Sequence, residues 1–373
     1  CYPNSTPQAS PSCPTSRSDS ASTELSLGQS TDKSVALPNP CLLSRLVGAH
    51  QNLPSEYTIY DVALLHHWTV STSRSIVNAP SLNHYWQQLI PQIAFHHRFL
   101  MHGILSLTAL HLAHLDLGDK RSHMRDASHR HNQALQGFRT AIENITDGNS
   151  DALFACTSVN IVYVFGMYGH LYGCHDGGDS PSARIERVLG AEWIPMIRGV
   201  EAVLSSVHDR VRSGPLSPLL DLRNWDELDP DSMSLVGDEQ FQGIRAIWTA
   251  STDCGLYDQS LYLLRKCYAY MQQFGTLQEA AAGDGPYNRT WSGPLMWLHF
   301  VPEEFVIRLR QRQPPALVLF SHLGILFHAL EELWIFKGWA RSIVEAVDEV
   351  LGAYWESWIK WPKKVVGLSC CTK

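Results

Sequence analysis

An all-α fold is what this sequence predicts, and three observations lead there. Hydrophobic residues recur at helical spacing over most of the chain from Ser55 onward, and no run of strict alternation flanked by turn signals suggests a sheet. The chain of 373 residues is 45% hydrophobic and only 17% charged, enough apolar material for one large core. The expectation is a single large helical domain over residues 56–366, followed by a short tail at 367–373. Half of residues 1–40 are Ser, Thr or Pro, with almost no large aliphatic side chains. Such a stretch cannot bury enough surface to offset its ordering entropy, so residues 1–54 are expected to be a disordered linker.

The helical elements follow in order. The apolar run Phe99 to Leu115 carries His102, His111 and His114 and falls short of the ~20 residues needed to span a bilayer, so it reads as a buried core helix. Met124, Ala127, His131, Ala134, Phe138, Ala141 and Ile145 recur at three- and four-residue steps, which puts them on one face of an amphipathic helix. Asn149-Ser150-Asp151 reads as an N-cap cluster. It precedes Ala152 to Tyr168, which is apolar on every side and therefore a candidate central helix. Pro195 reads as the start of a helix carrying Ile197, Val200, Leu204, Val207 and Val211. Residues 213–243 read as a long loop. Its stretch Trp225 to Met233 mixes acidic and bulky apolar residues, the composition of activation segments, although an ordinary solvated loop has the same texture. Leu256 to Phe274 is helical, Pro302-Glu303-Glu304 is a good helix start, and Pro314-Pro315 breaks that helix before an apolar one from Ala316 to Leu330. No membrane span is expected.

Charge and cysteine usage narrow the function. The net charge is -7 and no basic stripe tracks a phosphate backbone, so these residues should bind nucleic acid poorly. Nine cysteines occur without a Cys-x-x-Cys pair, which fits free thiols in a reducing compartment better than a disulfide framework or a closed zinc site. Glycine-rich phosphate loops, the Gly-x-Ser-x-Gly elbow and His-Glu-x-x-His are all missing, which lowers the enzyme reading. Eighteen histidines are many. The group His96, His97, His102, His111, His114, His123, His129 and His131 invites a metal hypothesis, but no acidic partner at fixed spacing completes a ligand set apart from Asp116, and structural histidines are the plainer reading.

Twelve tryptophans are unusual, and Trp334, Trp339, Trp355, Trp358 and Trp361 crowd into the last forty residues. They either seal the end of a filled core or belong to a large apolar pocket. In the second case Phe300, Phe305, Leu317, Phe320, Leu323, Phe327, Trp334 and Trp339 line a cavity for a flat lipid such as a sterol. Periodicity alone does not separate a filled core from a lined cavity.

Several blocks, in order along residues 56–362, carry a family resemblance. They are Leu64-Leu65-His66-His67-Trp68-Thr69; Trp86; Pro91 to Phe95; Phe99-Leu100-Met101-His102; and His111-Leu112-Ala113. Further on come Asp151-Ala152-Leu153-Phe154-Ala155, Trp193 to Gly199, Pro302 to Phe305, Gly338-Trp339-Ala340 and Trp358 to Pro362. This order resembles the fungal-specific regulators of the sterol uptake control type, in which a six-cysteine zinc cluster is followed by a linker and a helical effector domain. Cys1-Tyr2-Pro3 is similar to the exit of that cluster, without its usual spacer between Cys and Tyr. One cysteine cannot hold a cluster, so no metal ligand is assigned here and no cofactor is expected in this chain.

The resemblance implies a nuclear regulator of transcription by RNA polymerase II, not an enzyme. DNA contact would come only through a zinc-bearing upstream domain that this chain lacks, and the helical domain would answer to a ligand or to the transcription machinery. In the best-understood members the ligand is ergosterol; other relatives serve secondary-metabolite genes, and dimers are usual. A helical protein-interaction domain without small ligand and a His-dependent helical enzyme are the alternatives.

Overall fold

The structure, a computed structural model, describes residues 57–76, 82–169, 180–190, 193–222, 224–274 and 290–368. The linker expected at 1–54, Cys1 with it, lies outside the described residues. The described residues are mostly helical, and no strand occurs among them. The all-α expectation holds there.

The first helix, α1 (Ile59–His67), starts at Thr58, whose backbone N–H and hydroxyl both donate to Asp61, and runs on through a π turn (Trp68–Thr72) to Ser75. A second π turn, Tyr85–Leu89, leads into α2 (Ile90–Ala94). The helices α3 (Arg98–His114) and α4 (Lys120–Ile142) form a hairpin pinned by Ser106 Oγ, which donates to Ala127 O at 2.8 Å. Met124, Ala127 and Ala134 are the buried residues of α4, one stripe as the spacing predicts; Ile145 lies beyond the helix end.

Helix α5 (Asp147–Tyr168) is the central helix, packed against α3 on one side and α7 on another. It begins earlier than the cap expected at Asn149-Ser150-Asp151. Thr146 is the N-cap, and Asn149 Oδ1 accepts its backbone N–H at 2.8 Å, because an Asn three residues into the helix reaches back to an otherwise unpaired donor. By length and composition alone α5 could cross a membrane, but 72% of its most apolar window is buried inside the fold. Gly166 of α5 shows how close the packing is: a Cβ there would meet Leu110 and Trp334 at 3.0 Å.

Then come α6 (Pro181–Leu189) and α7 (Trp193–Arg212). The segment read as a loop over 213–243 is partly structured: a turn at Ser217–Leu219 and the short helix α8 (Asp238–Gly243) interrupt it, and Trp225, Leu228 and Leu235 are buried. It is held to α9 (Cys254–Gln272) by Arg265, which donates to both carboxylate oxygens of Asp238 at 2.7 Å and to Asp231 at 2.5 Å. The acidic residues there serve a charge-assisted anchor, which their composition does not reveal.

The C-terminal half closes with α10 (Gly293–Phe300), α11 (Glu303–Arg310), α12 (Pro314–His328), α13 (Trp339–Leu351) and α14 (Lys360–Val365). Pro314 and Pro315 sit in the first turn of α12, where a missing N–H costs nothing. Gly338 caps α13 at φ 80°, a conformation that disfavours any side chain. The α12 and α13 helices pack on each other, and Arg184 of α6 pairs with Glu345 of α13.

Candidate functional site

Of the eight aromatic and aliphatic residues expected to line a pocket, seven are packed into a filled core. Phe305, Leu317, Phe320, Leu323, Phe327 and Trp339 are essentially inaccessible, and Trp334 is buried as well. They meet other side chains, not a void. The Trp339 ring lies 5.4 Å from Phe165 and 4.8 Å from Trp193 in edge-on contacts, and its Nε1 donates to Phe165 O at 2.9 Å. Trp334 stacks over His111 and His114 and donates to Ser75 Oγ at 3.1 Å. Phe300 lines a cavity.

That cavity, about 230 Å³, lies beside α5. One wall is the α5 face bearing Phe154, Thr157, Ser158, Ile161 and Phe165. The opposite wall is Trp291 with Leu295, Met296, His299 and Phe300 of α10. Ile197 of α7 and Trp86 close the sides, Ile335 and Phe336 add apolar surface, and Leu219, Leu220 and Leu222 form a roof. The roof is fastened next door, where Trp225 stacks on Phe300 at 5.4 Å and 13° while the Lys266 ammonium lies 4.7 Å from the Trp225 ring. A second lobe of about 210 Å³ shares Thr157, Ile161 and Ile197 with the first and is bounded by His131, Phe138 and Met196. Apolar walls with a few polar groups are the usual make-up of small-molecule sites.

Three polar atoms in the larger lobe have no protein partner although they are buried: Trp86 Nε1, Thr157 Oγ1 and Trp291 Nε1. Sequence reasoning missed all three, since Trp86 was read only as a family landmark and nothing in spacing marks an indole whose N–H goes unpaired.

The histidines form no metal site. Among the described residues no group of three or more His, Cys, Asp or Glu side chains could hold a metal ion. His111 is buried, with Thr72 Oγ1 3.0 Å from Nδ1 and Ser75 Oγ 3.3 Å from Nε2. Burial, helped by neighbouring His67 and His114, pushes its imidazole down to about 3, so it stays neutral. Burial likewise pushes His131, stacked on Tyr163 at 3.8 Å, and His322 down to about 4. Neutral imidazoles of this kind are packing elements.

Comparison with known proteins follows this geometry closely. Residues 63–218, which include α5 and α7, match the fungal specific transcription factor domain. The chain is 23% identical over 83% of its length to a Zn(2)-C6 fungal-type transcription factor of Gibberella zeae, of which it covers 62%. It is 30% identical over 53% of its length to Sterol uptake control protein 2 of Candida albicans, covering 26% of that protein. A further Zn(2)-C6 fungal-type transcription factor, from Aspergillus fumigatus, is 25% identical over 79% of this chain and 75% of the relative. This chain thus spans less than two thirds of the first two of these relatives, 62% and 26% of their lengths. Residues 63–218 are thus similar to the fungal specific transcription factor domain, and the chain as a whole is similar to Zn(2)-C6 fungal-type transcription factors.

Proposed function

We propose that residues 57–368 are the ligand-responsive regulatory domain of a fungal transcription factor, with the cavity beside α5 as the ligand site. The observation that supports this reading is the cavity itself: an apolar space between the central helix, which lies in the part of the chain that matches the family domain, and α10, roofed by a fastened loop. Regulation then requires that the ligand bind one arrangement of the walls more tightly than another, since a ligand binding both equally shifts nothing. DNA contact, zinc and nuclear residence belong in this reading to a six-cysteine cluster elsewhere in the complete protein, and homodimerisation to the full assembly. Two relatives carry sterol uptake control in their names, which makes a sterol the first ligand to try. Drug-sized molecules occupy pockets of about 300–1,000 Å³, so a sterol would need both lobes to open into one.

A second reading, docking of a protein partner, is favoured by the exposed apolar residues Ile59, Val62 and Val70 along the first helix. The relatives are named as transcription factors, which leaves a His-dependent enzyme without a supporting observation. Thermal unfolding of the whole chain with ergosterol and a panel of hydrophobic metabolites separates the two remaining readings, because a ligand bound only by the native state raises stability by about 2.7 kcal/mol at a hundredfold excess over Kd. A saturable rise in Tm supports the ligand site. No rise, at concentrations where a sterol-binding control responds, leaves the partner-docking reading.

A further inference from the structure

Six of the twelve tryptophans donate their indole N–H to a protein acceptor. Trp68 donates to Trp86 O at 2.9 Å, Trp193 to Val188 O at 3.1 Å, Trp248 to Asp258 at 2.9 Å and Trp297 to Ser260 O at 3.0 Å. Trp334 and Trp339 donate as well. The two buried indole nitrogens without a partner, on Trp86 and Trp291, both belong to rings that line the same cavity. The Trp86 side chain is only 3% exposed, so bulk water does not serve it.

Thr157 repeats the pattern. Several hydroxyls inside helices of this protein donate to the carbonyl four residues back, as Thr108 does to Ile104 and Ser158 to Phe154. Thr157, 3% exposed, makes no such bond and lines both lobes. An indole N–H is a donor and nothing else, so only an acceptor can satisfy it. A hydrocarbon filling this cavity would leave both donors unpaired, and a water molecule needs two to four polar partners that a mostly apolar wall supplies poorly.

We propose that the ligand of this cavity is a compact apolar molecule bearing a carbonyl-type hydrogen-bond acceptor, and that Trp86 and Trp291 are the donors that select it, with Thr157 beside them. The proposal rests on the ligand-site reading above and adds the chemistry of the ligand. Selection of this kind discriminates by the presence of an oxygen, because a binding site with unpaired donors rejects an analogue that lacks the acceptor.

The test uses a matched pair, 1-tetralone and tetralin, which share a bicyclic frame small enough for one lobe and differ by one carbonyl oxygen. Calorimetric titration of the whole chain is expected to show tetralone binding at least tenfold tighter than tetralin. Trp86→Phe and Trp291→Phe, made singly so that a folding failure in one leaves the other readable, are expected to bring the ratio toward one. Equal affinities for the two probes in the unaltered protein would overturn the acceptor proposal and leave the ligand site standing. A large ratio that neither substitution reduces would also overturn it, placing the acceptor on other donors. Binding of neither probe would overturn the proposal together with the ligand site beneath it.

Discussion

Two aromatic regions of this molecule are built from the same residue types and end in opposite states. Around Trp339, the rings of Phe165, Trp193, Phe327 and Phe336 meet edge to face or offset, and the indole N–H finds a carbonyl. Around Trp86 and Trp291 the rings border an open volume of about 230 Å³ and their N–H groups find nothing. The difference teaches that aromatic content does not decide whether space is filled; what decides is whether the polar edge of each ring is satisfied by the fold's own backbone. Where it is, the ring is structural. Where it is not, the ring borders open space.

Truncation should break the comparison most visibly. Trp339→Ala removes a fully buried ring from close packing and is expected to cost about 3–5 kcal/mol in urea unfolding. Trp291→Ala enlarges a space that already exists and should cost clearly less. Equal losses would mean that the cavity is packed as tightly as the core.

A smaller effect, on the order of 1–2 kcal/mol per imidazole, is expected from acid. His111, His131 and His322 have native pKa values pushed by burial well below the ordinary histidine value of about 6.5. The unfolded chain therefore takes up protons that the folded chain refuses, and stability is full above pH 6.5 and falls as pH drops toward about 4. His111, pushed to about 3 against Trp334 on the filled side, should account for more of that slope than His131, pushed to about 4 at the rim of the second lobe. Urea midpoints of His111→Gln and His131→Gln between pH 7 and 4.5 check the order. An equal flattening by both would show the rim to be as dry as the core.

The smallest effect runs the other way. Thr157→Val replaces an unpaired buried hydroxyl with a methyl of the same shape and is expected to stabilise by up to about 1 kcal/mol, whereas Thr108→Val breaks a bond to Ile104 O and should not. A loss at both positions would mean that Thr157 has a partner after all.

Much of this fold is legible in the sequence, because helix periodicity and proline placement are local signals. The stripe of Met124, Ala127 and Ala134 and the start of α11 after Pro302 fall where spacing puts them. The loop between α7 and α9 does not, since Arg265 lies 27 residues from Asp238 and 34 from Asp231 and no local pattern joins them. The site is the least legible part. Phe305 through Trp339 look like pocket lining because they are apolar and periodic, which is equally the pattern of a filled core. The actual walls come from six separated stretches that no local pattern joins.

The guanidinium of Arg198 gives this architecture a mechanical property. Its donors hold Leu298 O at 2.9 Å and Val301 O at 2.7 Å at the end of α10, and its Nε lies 3.2 Å from Glu303 at the start of α11. The residue before it, Ile197, is a cavity wall, and so are the neighbours of Leu298. One side chain is therefore a tie rod across the opening: the walls cannot spread on that side without either drawing the corner between α10 and α11 along with α7 or breaking two short bonds. Occupancy of a space deep in the molecule is thereby coupled to the position of a corner where Glu303, more than half exposed, meets solvent.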